Sequence, residues 1–378
     1  MIASNGRGST ALDFFSGSGL VTEGLRPCFK TIWANDLCAK KCAIYDANFG
    51  RAYLVEKSIT EVAGADVPSA DLAWGSFPCQ DLSLAGNMKG LSNGYRSALY
   101  WEWIRVLDEM GERRPPVLCL ENVVGFLVAD DGAQFRNAYK ALRKRGYRAG
   151  ALVIDAAHFV PHSRQRSFLV AVPEEWPLAG AGVTGEGPTP HYHPKAVMTA
   201  WKATCDPKWI WWRLPFPPRR KGNLIDVVEF DAPVDSPLVT KRLLGMLSAR
   251  NLEKLRAAIK TNPILVGTGY KRIRWEGEKK RQRLEIRFDG IAGCLRTPEG
   301  GSSRQILLIV KDGQVKTRLL TIRETARLMG AKDDFALPGS YNDGYKAMGD
   351  AVVVPVTRWL AHHLLARLLN DPQLRTAD

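Results

Sequence analysis

The sequence predicts an α/β fold, a doubly wound and mostly parallel sheet with a second, smaller and irregular domain. Three observations carry this. Near the N-terminus an apolar run, Ala11-Leu12-Asp13-Phe14-Phe15, meets a glycine turn, Ser16-Gly17-Ser18-Gly19, and then a helical stretch, Leu20 to Leu25. From there to Pro173, strand-length apolar runs alternate with amphipathic helical patterns, as in βαβ units. The rhythm then breaks and returns only at Leu320.

The first strand, turn and helix form the opening of a nucleotide-binding unit, because glycines let backbone approach a ligand closely. Lys30-Thr31-Ile32-Trp33-Ala34-Asn35-Asp36 reads as a second strand ending in an acid about 20 residues after the turn, where such folds place a ribose-binding carboxylate. Cys38, Cys42, Tyr45 and Phe49 follow at helical spacing with Gly50 as the stop, and both cysteines are expected in the core. Asp71-Leu72-Ala73-Trp74-Gly75 is a buried strand that Pro78 must end, leaving Cys79 just past a strand's carboxyl end. Leu99, Trp103, Val106, Leu107 and Met110 mark a helix. Val117-Leu118-Cys119-Leu120 is a strand that carries Glu121 to the same rim. Phe135, Tyr139 and Leu142 mark a further helix closed by Gly146. Leu152-Val153-Ile154 and Phe168-Leu169-Val170-Ala171-Val172 form a strand pair, with Arg164 and Arg166 between them.

Residues 174–316 read as irregular, with interleaved aromatic and basic residues such as Tyr270-Lys271-Arg272-Ile273-Arg274-Trp275. After them, Thr321-Ile322-Arg323-Glu324 is a capping box opening a helix that Gly330 closes. Trp359, Leu360, Leu364 and Leu368 mark a last helix. The expected domains are therefore residues 1–173 plus 317–378, discontinuous and cofactor-binding, and residues 174–316.

With 53 Lys+Arg against 39 Asp+Glu, the formal net charge is +14. That balance argues for a polyanionic partner, nucleic acid ahead of a membrane surface. No apolar stretch approaches the ~20 residues of a membrane span. The seven cysteines show no CxxC spacing, which argues against a zinc site or a disulfide framework and for a reduced, cytosolic setting. The first ten residues look like a frayed start, not a signal peptide.

A thiol, a carboxylate and an arginine pair on one sheet edge suit covalent catalysis on an electron-poor ring. A cysteine attacks as thiolate, nearby positive charge lowers its pKa, and a glutamate can deliver a proton or hydrogen bond to a ring nitrogen. A ring inside a duplex is out of reach and has to be flipped out.

These residues resemble the DNA cytosine-5 methyltransferases. Asp13-Phe14-Phe15-Ser16-Gly17-Ser18-Gly19 is similar to the family's cofactor motif, Phe77-Pro78-Cys79-Gln80 to its nucleophile motif and Glu121-Asn122-Val123 to its ring-nitrogen motif. Ser163-Arg164-Gln165-Arg166 resembles the paired-arginine motif, residues 318–330 the scaffold motif and Gly349-Asp350-Ala351-Val352 the closing motif. The resemblance implies a Rossmann-like methyltransferase in which Cys79 attacks carbon 6 of a flipped cytosine, Glu121 engages the ring nitrogen, and Arg164 helps orient the base, with Arg166 the second catalytic arginine of the pair. It implies S-adenosylmethionine as methyl donor, held by Phe15, Ser16, Gly17, Gly19, Asp36, Ser58, Ile59, Pro78, Asp350 and Val352, with no metal. It further implies that residues 174–316 recognise double-stranded DNA and that the enzyme is monomeric and sits in a bacterial or phage-infected cytoplasm, either beside a cognate restriction enzyme or as a solitary or phage-borne enzyme.

Four positions depart from the family pattern. His162 stands where Gln is usual, Ser58 where Asp is usual and Asp350 where Asn is usual, and Met329-Gly330-Ala331-Lys332 replaces Gln-Gly-Phe-Pro. Ser58 and Asp350 keep open an altered cofactor or transferred group. The rival readings are a tRNA cytosine-5 methyltransferase, a catalytically weak DNA-binding relative and an adenosine-cofactor enzyme acting on a small molecule. The long basic insert favours DNA, intact Cys79, Glu121 and Arg164 favour activity, and the +14 charge disfavours a small substrate.

Overall fold

Short apolar runs build the central sheet because residues buried on both faces need no alternation. The computed structural model describes residues 8–78, 98–178, 182–260, 264–297 and 304–370. In chain order the elements are β1 (Thr10–Phe14), α1 (Leu20–Leu25), β2 (Lys30–Asp36), α2 (Ala39–Phe49), β3 (Leu54–Glu56), β4 (Leu72–Gly75), α3 (Ala98–Met110), β5 (Val117–Asn122), α4 (Ala133–Arg143), β6 (Tyr147–Asp155) and β7 (Gln165–Pro173). Their seven strands lie in the order β3-β2-β1-β4-β5-β7-β6. Neighbours from β3 to β5 are parallel, while β7 runs antiparallel to both β5 and β6. The strand order therefore reverses between β1 and β4, and in open α/β sheets the crevice at such a reversal takes the ligand.

Aromatic residues fill one layer beside this sheet. Phe14 packs on Trp33 and Trp103, Phe77 on Tyr100 and Phe126, and Phe135 and Tyr139 on Trp209. The β6 edge is covered by the segment that contains β8 (Thr184–Gly185), α5 (Lys195–Thr204) and β9 (Trp211–Trp212). Ile210 N–H donates to Ala149 O at 3.0 Å, and Trp212 Nε1 donates to Gly150 O at 3.0 Å. A Cβ on Gly150 would lie 1.8 Å from Ile210 O, so only glycine allows this approach.

The second compact unit comprises Ala156–Arg164 and Pro217–Ala351, and the first takes Met1–Asp155, Gln165–Phe216 and Val352–Asp378. These limits differ from the expected boundaries at 173/174 and 316/317. Covering the sheet edge ties residues 182–216 to the first unit, and the scaffold motif lies in the second.

Residues 217–316 are not irregular, which corrects the sequence reading. After α6 (Pro237–Leu244) and α7 (Ala249–Ile259) come β10 (Ile264–Glu276), β11 (Lys279–Arg287), β12 (Ile306–Lys311) and β13 (Gln314–Leu319), an antiparallel sheet in the order β11-β10-β12-β13. Leu243, Leu247 and Leu255 pack with Leu284, Ile286, Ile306 and Leu308 into its own core. Gly267 and Gly269 in β10 hide the strand from a propensity reading, yet Gly267 is required because its Cβ would meet the Phe288 ring at 2.5 Å.

The capping box is formed. Thr321 Oγ1 accepts from Glu324 N at 3.1 Å at the start of α8 (Ile322–Leu328), and Gly330 follows at φ 76°. Buried Glu324 also takes Arg318 Nη1 at 2.7 Å, which anchors the end of β13. After α9 (Tyr341–Asp350) the chain returns to the first unit as α10 (Val354–Leu360), which continues through a π-helical turn (Ala361–Leu365) into α11 (Ala366–Asn370). Gly24 of α1 abuts Thr357, whose Cβ would lie 2.5 Å from an added methyl, so the last helix packs on the N-terminal half as expected.

Candidate active site

The glycine turn after β1 is held from below and open to one side. Phe15 has φ 58°, a conformation that non-glycine residues adopt only where the surroundings impose it. Gly19 has φ +83°, and a Cβ there would lie 2.4 Å from the Phe49 ring, so glycine seats the turn on α2. A Cβ on Gly17 would instead meet nothing closer than Lys41 Cδ at 3.9 Å. Ser16 and Ser18 are buried, and among the described residues their hydroxyls have no hydrogen-bond partner. Asp36 Oδ2 accepts from Gly17 N at 2.9 Å and Oδ1 from Cys38 N at 2.8 Å. A carboxylate has about four acceptor positions, so Asp36 braces the turn and keeps capacity for ribose hydroxyls.

Beneath the turn, Asp13 is fully buried and accepts Thr22 Oγ1 at 2.8 Å. Burial pushes its pKa up to about 7, the Thr22 hydrogen bonds oppose this, and the charge of Asp36 adds to it. Cys42 is buried as expected, and burial raises its thiol to about 12, while Cys38 is half-buried at the N-cap of α2. Ser58 caps a short 3-10 turn (Ile59–Glu61) whose Glu61 carboxylate accepts from Ser58 N at 3.1 Å. Ile59 is in the core.

Cys79 lies outside the described residues, but the loop that leads to it is fixed at two points. Trp74 Nε1 donates to Ser76 Oγ at 2.9 Å, and Asn122 Nδ2 donates to Phe77 O at 3.4 Å. The carboxyl ends of β4 and β5 are therefore linked just before Pro78, which is exposed.

Glu121 ends β5 almost fully buried, and Arg166 Nε lies 2.9 Å from its Oε1. The register places this arginine, because Glu121 pairs with Phe168 and Asn122 with Ser167 across the antiparallel step. Ser167 Oγ clamps the strand end by donating to Asn122 O at 3.1 Å. A buried carboxyl group against a guanidinium is held in one orientation by the charge-assisted contact.

The two arginines of the motif divide. Arg164 belongs to the second unit, where its buried guanidinium donates to Leu295 O at 3.1 Å, Gly349 O at 2.9 Å and Ala351 O at 2.7 Å. Two of these carbonyls lie at the end of α9, where helix carbonyls lack intrahelical donors. His162, also buried, accepts Leu295 N at Nε2 (3.0 Å) and meets Leu328 O at Nδ1 (3.2 Å). A neutral imidazole is acceptor on one nitrogen and donor on the other, the pair of functions that a glutamine amide offers. Asp350 accepts the hydroxyl of Thr297, and Val352 is buried in the first unit.

Sequence reading missed the bracing residues Asn122, Ser167 and Thr22. Each is an ordinary polar residue, and its role follows from strand register, which no local pattern shows.

The comparisons with known proteins agree with this architecture. The family model for C-5 cytosine-specific DNA methylase matches residues 9–366. Type II methyltransferase M.MspI of Moraxella sp is 26% identical over 364 residues, covering 93% of this chain and 69% of its own length. Type II methyltransferase M.HhaI of Haemophilus parahaemolyticus is 23% identical, covering 96% and 95%. Among solved structures, the S. pombe Dnmt2 methyltransferase aligns with a TM-score of 0.58 at 18% identity over 96% of this chain and 99% of its own. The Entamoeba histolytica methyltransferase EhMeth aligns at 0.60 and 13%, over 96% and 99%. These two share the fold. With nearly the whole chain matched, the protein belongs to the C-5 cytosine-specific DNA methylase family and is a DNA cytosine-5 methyltransferase.

Proposed function

We propose that Cys79 is the nucleophile, Glu121 the acid that engages the cytosine ring, and Arg166 the residue that positions Glu121. The observation that carries this is the buried Glu121–Arg166 pair at 2.9 Å, on the sheet rim where β4 ends four residues before Cys79 in the chain. The Cys79 thiolate forms a bond to carbon 6 of a cytosine flipped from the duplex. Glu121 gives a proton or hydrogen bond to the ring nitrogen, so electron density moves to carbon 5. After carbon 5 is methylated, loss of its proton expels Cys79 and restores the aromatic ring. Arg164 braces the second unit through three backbone carbonyls.

The family consists of methyltransferases, which generally use S-adenosylmethionine. The open face at Gly17, the unpartnered Ser16 and Ser18 hydroxyls and the spare acceptor capacity of Asp36 fit its adenosine and amino-acid groups. When bound, it supplies an electrophilic methyl group on a sulfonium. Phe15, Ser16, Gly17 and Asp36 would hold it, and Gly19 would keep the turn seated. The protein acts as a monomer on double-stranded DNA in a bacterial or phage-infected cytoplasm. Among the described residues no helix is long and apolar enough to cross a membrane.

The test is a duplex carrying 5-fluorocytosine, which cannot lose its carbon 5 substituent and so traps the covalent adduct. Wild-type enzyme with S-adenosylmethionine should form a denaturation-resistant complex, and Cys79→Ala should not. An adduct that persists in Cys79→Ala would overturn the assignment.

A further inference from the structure

The hairpin of β10 and β11 reaches past the sheet that supports it. β10 pairs with β12 only from Ile264 to Gly269, and among the described residues β11 pairs in the sheet with β10 alone. Residues 271–283 therefore form a two-stranded ribbon, closed by the two-residue turn Gly277-Glu278. Such a ribbon is marginal in water by itself. It holds seven Lys and Arg against two Glu.

Strand alternation sorts the ribbon into two faces. Opposed pairs Arg272/Arg283 and Arg274/Arg281 share one face, and Ile273/Gln282 and Trp275/Lys280 share the other. On the first face Glu285 takes Arg272 at 3.1 Å and also Arg274, and Glu276 takes Arg283 at 2.6 Å and Arg281 at 3.4 Å. Two carboxylates thus fan out four guanidiniums and leave positive charge in excess. Arg272 and Arg274 are separated by about 6.8 Å along the strand, the axial advance of two nucleotides at 3.4 Å each. On the second face Ile273 and Trp275 are 63% and 66% exposed, with Lys280 Nζ 4.9 Å from the Trp275 ring centroid.

We propose that this ribbon is a sequence-independent anchor for duplex DNA. Arg272, Arg274, Arg281 and Arg283 engage backbone phosphates, and the Ile273–Trp275 ridge packs on sugars. The ribbon holds the substrate and does not choose the target sequence. Guanidinium–phosphate contacts carry no base information and release counterions, so they set affinity and its salt dependence. The inference rests on duplex DNA being the substrate.

The test compares wild type, a quadruple Arg→Gln variant at these positions and the quadruple Arg→Lys variant, each checked by circular dichroism. Affinity is measured against salt for a duplex with the methylated motif and for one without. In the Gln variant the slope of log affinity against log salt should fall by about 3–4, at ~0.9 per phosphate. Both duplexes should weaken alike, roughly tenfold or more at moderate salt, with the methylated motif unchanged. The Lys variant should keep most of the slope, and Trp275→Ala should weaken both duplexes equally. An unchanged slope in the Gln variant would make the ribbon a solvated face. A loss confined to the motif-bearing duplex, or a shifted motif, would make it a sequence reader. Wild type that modifies no duplex would instead remove the substrate reading on which the inference rests.

Discussion

Arg166 reaches across an antiparallel strand pair to place its Nε 2.9 Å from the buried carboxylate of Glu121. Arg164, two residues earlier, lies in the second unit and donates to three backbone carbonyls of that same unit. On the proposed reading, the motif contains one arginine that positions the acid and one that braces the second unit. Arg166→Ala should lower kcat by about 10²-fold or more, the usual scale for a displaced acid or base, with DNA affinity little changed. Arg164→Ala should chiefly lower the melting temperature. The division fails if single-turnover rates fall equally in both variants at a temperature where both are folded.

His162 uses both ring nitrogens, one toward Leu295 N–H and one toward Leu328 O. His162→Gln can keep one acceptor and one donor and should change stability by less than about 1 kcal/mol. His162→Leu strands both backbone groups and should cost about 2–4 kcal/mol. Chemical denaturation of the two variants checks this, and equal losses would refute the exchange of functions.

Asp13 predicts a pH dependence of stability. Its folded pKa is raised from 3.8 to about 7, so the folded state favours the protonated form. The contribution is fully present below pH ~4 and is lost as pH rises through about 7, up to roughly 4 kcal/mol by linkage. Asp13→Asn keeps an acceptor for the Thr22 hydroxyl and removes the ionisation. Its unfolding free energy should therefore fall less than that of wild type between pH 5 and pH 8. Parallel pH profiles would show that Asp13 does not titrate in this range.

Gly150→Ala would drive a methyl into Ile210 O, 1.8 Å from the ideal Cβ position. Relieving that clash should cost about 1–3 kcal/mol and loosen the segment over the β6 edge. Faster proteolysis within residues 182–216, with the fluorescence of Trp209, Trp211 and Trp212 changed, is the expected signature. A variant as resistant as wild type would mean that the segment shifts without cost.

The first 173 residues were legible because their strands are apolar on both faces and their helices periodic, so local pattern and fold agree. The β10–β13 sheet was not. Gly267 and Gly269 break its pattern, and charged residues fill the ribbon beyond its core. The scaffold helix was legible at its start, since Thr321 and Glu324 satisfy each other's backbone locally.

The sequence by itself determined most elements of the first 173 residues, the glycine turn, the rim placement of Glu121 and the family motifs in order. These depend on side-chain chemistry and short-range spacing. Only the tertiary structure decided that Arg166 meets Glu121, that Asn122 ties β5 to the loop before Cys79, and that His162 bridges two backbone groups. Those outcomes depend on the register of strands and on contacts between residues distant in the chain, such as His162 with Leu295 and Leu328. Close packing fixes such contacts only when the whole core forms.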